Sequence, residues 1–113
     1  MARVASKQGV KYGYSYEALA SNLRRRHMEP FLGTLEPATI RDRHSYSHEG
    51  EEFLFVLDGG VEIILDKKKE SLEPGDCVYF HSIVPHCVQC RDDSGATLLA
   101  VLFPGEDLAD ADK

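Results

Sequence analysis

The segment HEGEEFLFVLDG, residues 48–59, decides the fold class of this chain. Its residues 53–57 are apolar without interruption, so both faces of an extended strand would be apolar there. A strand of this kind must be covered on both sides. His48 and Glu52, two side chains with metal-binding chemistry, come before this apolar run. The segment therefore predicts a buried strand with a polar cluster near its beginning.

Short apolar runs rich in β-branched and aromatic residues recur along the rest of the chain, with turn signals between them. The predicted strands are residues 28–35, 52–57, 61–65, 77–80, 87–90 and 96–103. Many strands at such close spacing are typical of a sandwich or a barrel. We therefore expect an all-β domain.

Three polar segments are interpreted as turns. Asp58-Gly59-Gly60 predicts a tight hairpin between the strands on either side of it, because glycine supplies the positive φ that such turns need. Lys67-Lys68-Lys69 predicts a solvated turn, and Glu73-Pro74-Gly75-Asp76 predicts a further turn. Residues 15–23 stay ambiguous between a helix, which propensity slightly favours, and an edge strand.

Potential ligand side chains alternate just before the apolar strand. His44, Tyr46 and His48 project to one face of an extended chain, and the serines between them project to the other. Glu52 lies about 13 Å further along a straight strand at ~3.3 Å per residue, too far to share an ion with His48. The chain must therefore bend between them, and Gly50 suits a bend because glycine tolerates unusual backbone angles.

A further histidine begins a later strand. His86 could meet His48 and Glu52 across a barrel, and such nitrogen and carboxylate ligands suit Fe, Mn, Ni, Cu or Zn. Cys87 and Cys90 would point to opposite faces of that strand, so they cannot hold one zinc ion together. Cys90 shares the inner face with His86, where we expect it to pack rather than to bind metal.

Two stretches of the sequence carry a family resemblance. Residues 48–59 resemble the first motif of the cupin family, and Pro74-Gly75-Asp76 with Pro85-His86 resembles the second. The flanking residues 28–31 and 96–103 are similar to cupin domains that follow a helix-turn-helix in bacterial regulators. The resemblance implies a double-stranded β-helix (jelly roll) cupin barrel with metal held inside by up to four side chains.

Within that resemblance, three residues occupy ligand positions: His48, Glu52 and His86. The first ligand position of the family is usually a histidine, and here it is Tyr46. Three alternatives stay open: Tyr46 binds the ion, Tyr46 lines the pocket beside a water, or His44 reaches inward through a changed register. His81 is a further candidate at the pocket mouth. Two histidines and one carboxylate with open positions form the facial triad of non-haem iron oxygenases.

Composition limits the partners. The formal net charge of −6 disfavours nucleic acid and anionic membranes, which attract clustered positive charge. The basic run at residues 24–27 is interpreted as a solvated connection. No apolar stretch has the length of a signal peptide or a membrane span, and the cysteine count is odd, so we expect a cytoplasmic protein with reduced thiols.

The expected organisation is a flexible N-terminal segment at residues 1–13, a cupin domain at residues 14–105 and an acidic tail at residues 106–113. The N-terminal segment is too short for a helix-turn-helix, so DNA binding by this chain alone is not expected. The outer apolar face of strand 52–57 must be covered by another sheet or by a partner subunit, and the resemblance implies a homodimer.

Three functions compete at this point. The likeness to regulator cupins favours a module that binds or senses a small molecule, with an anion as one option. The alternative is a metal-dependent enzyme of the oxygenase or isomerase type, in which Tyr46 is a candidate proton donor. A metal-free barrel that acts through its interfaces is the third.

Overall fold

The computed structural model describes residues 8–11, 14–20, 24–36 and 45–105. Within these ranges the chain forms strands and connections, and no helix is present. The strands are β1 (Gln8–Lys11), β2 (Tyr14–Ala18), β3 (Glu29–Leu35), β4 (Glu51–Asp58), β5 (Val61–Leu65), β6 (Lys68–Leu72), β7 (Cys77–His81), β8 (His86–Cys90) and β9 (Ala96–Phe103). The all-β prediction is confirmed.

The strands form two antiparallel sheets. The larger sheet has the order β1-β2-β3-β9-β4-β7, and the smaller has the order β6-β5-β8. Apolar side chains from both sheets form one buried cluster: Phe31, Leu35, Leu54, Val56, Val61, Ile63, Phe80, Val88, Cys90, Ala96, Leu98, Ala100 and Leu102. This is the expected jelly-roll architecture, although no ladder between named strands joins the two sheets in the described part of the chain.

Strand β4 lies inside the larger sheet, between β9 and β7. Its buried residues Glu52, Leu54 and Val56 alternate with Phe53 and Phe55, which are partly exposed on the outer side. The apolar cluster packs against the inner face of the strand. Glu52 lies on this same face, near the beginning of the strand. The burial of β4 between two neighbours follows from its uninterrupted apolar run.

The predicted hairpin around Asp58-Gly59-Gly60 is wrong. Strands β4 and β5 lie in different sheets, and the connection carries the chain from one sheet to the other. Both edges of β4 are already paired, with β7 and β9. Gly59 has a φ of 77°, and a Cβ atom there would overlap the backbone oxygen of Gly95. The glycine is therefore needed for a close backbone approach at the corner between two sheets, rather than for a hairpin turn.

The prediction of a solvated turn at Lys67-Lys68-Lys69 is also partly wrong. The turn is Asp66-Lys67, with Asp66 at a φ of 58°, and strand β6 begins at Lys68, opposite Leu65 of β5. Strand β6 is an edge strand and its side chains are exposed except for a partly buried Leu72, so it lacks an apolar alternation. The turn at Glu73–Asp76 is confirmed, because the amide of Asp76 donates to the carbonyl of Glu73 (2.9 Å).

At the other edge of the molecule, the ambiguity at residues 15–23 is decided in favour of a strand for residues 15–18, and residues 21–23 lie outside the described residues. Strand β2 pairs with β3, and β1 pairs with β2, so Gln8–Lys11 form a strand within the segment expected to be flexible. Arg24 and Arg25 of the basic run are exposed. The acidic tail at residues 106–113 lies outside the described residues. No helix in the described ranges has the length and hydropathy to cross a membrane.

Candidate metal centre

The three residues predicted as metal ligands come together at one end of the sandwich. His48 lies in the segment before β4, Glu52 lies on the inner face of β4, and His86 begins β8 in the opposite sheet. The Nε2 atoms of His48 and His86 each lie 3.1 Å from Oε2 of Glu52. One donor atom from each residue lies within 4.8 Å of the others, so this group could hold a metal ion.

The bend predicted between His48 and Glu52 is confirmed at Gly50. This residue has a φ of 111°, a conformation that side chains with a Cβ atom rarely adopt. A Cβ atom at this position would also overlap the backbone oxygen of Phe103. The bend replaces the separation of about 13 Å in a straight strand with a side-chain contact of 3.1 Å.

Backbone hydrogen bonds of the turn between β7 and β8, and of β8 itself, fix the positions of both histidines. The amide of His48 donates to the carbonyl of Ser82 (3.1 Å), and the amide of Ser82 donates to the carbonyl of Gly50 (2.9 Å). Tyr46 and His86 exchange two backbone hydrogen bonds of 2.8 Å each. The segment before β4 is therefore attached both to the turn and to β8, although its residues belong to neither sheet.

Hydrogen bonds at the far side of each ring determine the tautomers. His48 Nδ1 lies 3.1 Å from the carbonyl of Glu49, and His86 Nδ1 lies 2.8 Å from the carbonyl of Val84. A carbonyl only accepts, so Nδ1 donates in both residues, and each neutral imidazole keeps its lone pair on Nε2. Both lone pairs then face a carboxylate oxygen, which is also an acceptor. Such a group of acceptors requires a positive charge between them, either a proton on one Nε2 atom or a metal ion.

Burial strengthens this requirement. The side chains of Glu52 and His86 are only 3% and 2% exposed, whereas that of His48 is 22% exposed. Glu52 Oε2 and His86 Nε2 lie within contact distance but make no hydrogen bond within the described chain. Burial lowers the pKa of His86, but the nearby Glu52 carboxylate and the Val84 carbonyl raise it by more, so the net shift is upward. The site therefore favours positive charge near His86.

The donor set fits a divalent transition metal. Protein nitrogen and oxygen ligands bind such ions at about 2.0–2.2 Å, so two ligands at a right angle lie about 3 Å apart. The observed separation of 3.1 Å for both histidine–glutamate pairs agrees with this value. Two imidazoles and one carboxylate suit Fe, Mn, Ni, Cu or Zn. Three protein ligands would leave open positions for a small molecule.

Tyr46 lies beside His86 across the two backbone hydrogen bonds that join them. Directly paired residues of an antiparallel bridge place their side chains on the same face, with Cβ atoms about 5 Å apart. Tyr46 is partly buried, and its place beside His86 is compatible with both roles considered for it, binding the ion and lining the pocket. His44, the alternative candidate, lies outside the described residues.

The two other candidates do not join the three ligands. His81 ends β7 on its outer side, exposed and opposite Glu51 in the register, because alternation along the strand turns Phe80 inward instead. Cys90 is fully buried in the apolar cluster, four residues and about 13 Å along β8 from His86. Its place agrees with the expected packing role, and Cys87 lies on the opposite face of the strand.

Sequence reasoning missed some of the groups that support the site. The centre of the Phe80 ring lies 5.0 Å from the centre of the His86 ring, with an angle of 57° between the ring planes. The His48 ring packs edge-on against the same His86 ring, with their centres 5.2 Å apart. Alternation along β7 could have identified Phe80 as inward-facing. The carbonyls of Glu49 and Val84, which orient the imidazoles, leave no signal in the sequence because every residue has a carbonyl.

Comparison with known proteins agrees with the architecture. A family model described as "Cupin domain" matches residues 31–102, and the chain belongs to the cupin domain family. No curated protein matches the sequence at a significant level.

Solved structures similar to this chain include hydroxypropylphosphonic acid epoxidase from S. wedmorenis in complex with fosfomycin. The TM-score is 0.71 at 25% identity over 87% of this chain and 55% of that one. The FeII form of HppE in complex with substrate has a TM-score of 0.70 at 28% identity, over 88% and 56%. This chain thus spans about half the length of these structures. A Cupin 2 conserved barrel domain protein from Salinispora arenicola matches over 93% of this chain and 87% of that one, with a TM-score of 0.73 at 17% identity, which supports the fold alone.

Proposed function

We propose that this chain binds a divalent transition metal through His48, Glu52 and His86 and uses it to bind or sense a small molecule. The observation that carries this proposal is the convergence of two imidazole Nε2 atoms on one buried carboxylate oxygen, at 3.1 Å each. The backbone carbonyls at Nδ1 hold both lone pairs toward that oxygen, so a bound cation would relieve the repulsion among the three acceptors.

The residues around the centre favour an anionic ligand. A bound divalent ion supplies a Lewis-acid centre to which an oxygen donor can bind. Two neutral imidazoles and one carboxylate compensate only one of its two charges, so the loaded site would attract an anion. The apolar cluster and the Phe80 ring exclude water from the inner side, whereas the partly exposed His48 lies toward the solvent.

The test is metal analysis of protein purified without an affinity tag. Wild-type protein is expected to bind one metal ion per chain, and His48→Ala and Glu52→Gln to lose it. His81→Ala and Glu49→Gln are matched controls, because they change the same residue types at exposed positions near the site. Wild-type protein that binds no metal, or equal occupancy in the ligand and control variants, would refute the proposal.

A second candidate is a non-haem iron enzyme of the oxygenase or isomerase type. It is favoured by the two-histidine, one-carboxylate donor set and by the similarity to HppE, whose structures include an FeII form. Fe(II)-loaded protein would be incubated anaerobically with candidate organic acids before oxygen is admitted. Oxygen uptake that depends on the acid and disappears in His48→Ala would establish an enzyme. Saturable stabilisation by a ligand without product would support binding or sensing.

We further propose that two copies associate through the outer face of the larger sheet. Rows of apolar residues cross its strands in register: Pro30, Val101, Phe53 and Tyr79 in one row, and Leu32, Leu99, Phe55 and Cys77 in the next. Within these four strands the rows carry no charge, and Glu17 of β2 follows Leu32 at the end of the second row, so the same face on a second copy can cover the four strands without like-charge repulsion. Four strands about 4.8 Å apart, with the two rows about 6.6 Å apart along them, give these rows a flat area of roughly 250 Å².

A further inference from the structure

Ser82 has a buried hydroxyl that finds no partner among the described residues. Its side chain is fully buried, and Oγ makes no hydrogen bond within the described chain. Ser47, which lies beside His48, provides a contrast, because it is exposed and its Oγ donates to the carbonyl of Ile83 at 2.7 Å. A buried hydroxyl without a partner costs about 1–3 kcal/mol, so such a group in a native protein calls for an explanation.

The position of Ser82 associates it with the metal centre. Its backbone binds both His48 and Gly50, and it begins the turn that leads to His86. It follows the exposed His81 at the end of β7, and its burial places it on the inner side with Phe80, whose ring contacts His86. The hydroxyl thus lies at the end of the sandwich that holds the two imidazoles.

The other buried polar atoms without a hydrogen bond support this association. Those of Glu52 and His86 belong to the candidate ligand set itself. The ligand atoms are explained by a bound ion. Ser82 Oγ is not a ligand that divalent transition metals prefer, but a hydroxyl can donate a hydrogen bond to an oxygen that is bound to the ion.

We propose that Ser82 is a ligand-binding residue whose hydroxyl donates a hydrogen bond to a carboxylate or water oxygen bound to the metal ion. The inference rests on the proposed metal site and assigns its hydrogen-bond donor. The remaining positive charge of the loaded site would attract a small carboxylate, and Ser82 would fix the orientation of that ligand. An empty site would leave the hydroxyl without a partner.

The test uses the full chain loaded with Co(II), whose visible spectrum reports ligand exchange, with formate as the probe. Ser82→Ala is expected to bind one Co(II) per chain, as the wild type does, and to bind formate about tenfold more weakly. In the metal-free protein its melting temperature should stay the same or rise, because there the substitution removes a buried group that has no partner in the described chain. Ser47→Ala is the matched control, which should keep its affinity for formate and lose a little stability with its hydrogen bond to Ile83.

Three results would overturn the inference without refuting the metal site. An unchanged affinity for formate in Ser82→Ala would show that the hydroxyl does not contact the ligand. A clear loss of thermal stability in the metal-free variant would show that Oγ has a partner in the protein, and loss of Co(II) would show that Ser82 supports the metal ligands instead. Wild-type protein that binds no Co(II) would instead refute the proposed function, and this inference with it.

Discussion

Gly50 is the single residue on which the geometry of the metal centre depends most directly. It turns the chain back so that His48 and Glu52 meet, and it does so with a positive φ in a place where the backbone of Phe103 leaves no room for a side chain. Gly75 has a similar φ of 93° but no atom near the position that a Cβ would take. An alanine at Gly75 would meet only the cost of an unusual backbone angle, whereas an alanine at Gly50 would meet that cost and an atomic overlap as well.

We predict that Gly50→Ala lowers the free energy of unfolding by about 3 kcal/mol or more and abolishes metal binding, because strain and overlap act together. Gly75→Ala should cost only about 1 kcal/mol and leave metal binding intact. Urea denaturation and metal analysis of both variants provide the check. Equal destabilisation by the two substitutions would show that the contact with Phe103 is unimportant.

A second residue-scale prediction concerns pH. Burial lowers the pKa of His86, but Glu52 and Val84 raise it by more, so in the metal-free protein the folded pKa lies above the unfolded value of about 6.5. The resulting stabilisation is fully present below that unfolded value and is lost as the pH rises through the folded pKa. Metal binding needs an unprotonated imidazole, so the loaded protein should lose stability as the pH falls.

Urea denaturation across this pH range should therefore give opposite slopes for chelator-treated and metal-loaded protein. His86→Asn should flatten the slope of the chelated protein and remove the difference between the two preparations. Slopes of the same sign in both preparations would contradict the proposed role of His86 as a ligand.

At the scale of elements, the sequence predicted most strands but not all of their partners. Strands β3, β4, β5, β7, β8 and β9 carry apolar runs that are visible in the sequence. The edge strand β6 was missed because its residues are almost all polar and exposed. Strand β4 pairs with β9 rather than with β5 because the choice depends on which sheet edges are free, and local residues do not encode that.

In the site, too, local sequence features were predictable and long-range contacts were not. The spacing of His48, Gly50 and Glu52 predicted the bend, and family resemblance supplied His86. The carbonyls that orient the rings are local, one and two residues from their histidines, but the place of Ser82 depends on how the turn before β8 packs against the segment before β4. Contacts between segments that lie more than thirty residues apart arise only in the folded chain.

The two faces of β4 provide an element-scale prediction. Leu54 is fully buried in the core, whereas the side chain of Leu57 is 46% exposed. Leu54→Ala should lower the free energy of unfolding by about 2–5 kcal/mol, because it leaves a cavity among packed side chains. Leu57→Ala should change it by less than about 1 kcal/mol. Denaturation curves of the two variants provide the comparison. A larger effect at Leu57 would show that the core packs against the face of β4 that carries Leu57, contrary to the structure.

The whole molecule presents an apolar sheet face on its outside, which supports the proposed dimer. Light scattering during gel filtration should give twice the 12.6 kDa mass of one chain. Phe53→Glu should give the monomer mass, because a charge in the row that contains Val101 and Tyr79 would be buried without a partner. Ile64→Glu, on the outer side of the smaller sheet, is the matched control and should leave the dimer intact. A monomeric wild type would refute the proposal.

The place of β9 between β3 and β4 also governs how the protein can assemble during synthesis. Both neighbours of β9 precede it in the chain, β3 by about sixty residues, so the larger sheet cannot close until Phe103 has left the ribosome. Until then the apolar strands β3 and β4 have no common partner and are exposed to other nascent chains. Pairing over such long sequence separations is slow. The last described strand therefore makes chaperone capture of the nascent chain an expected stage in the production of this protein.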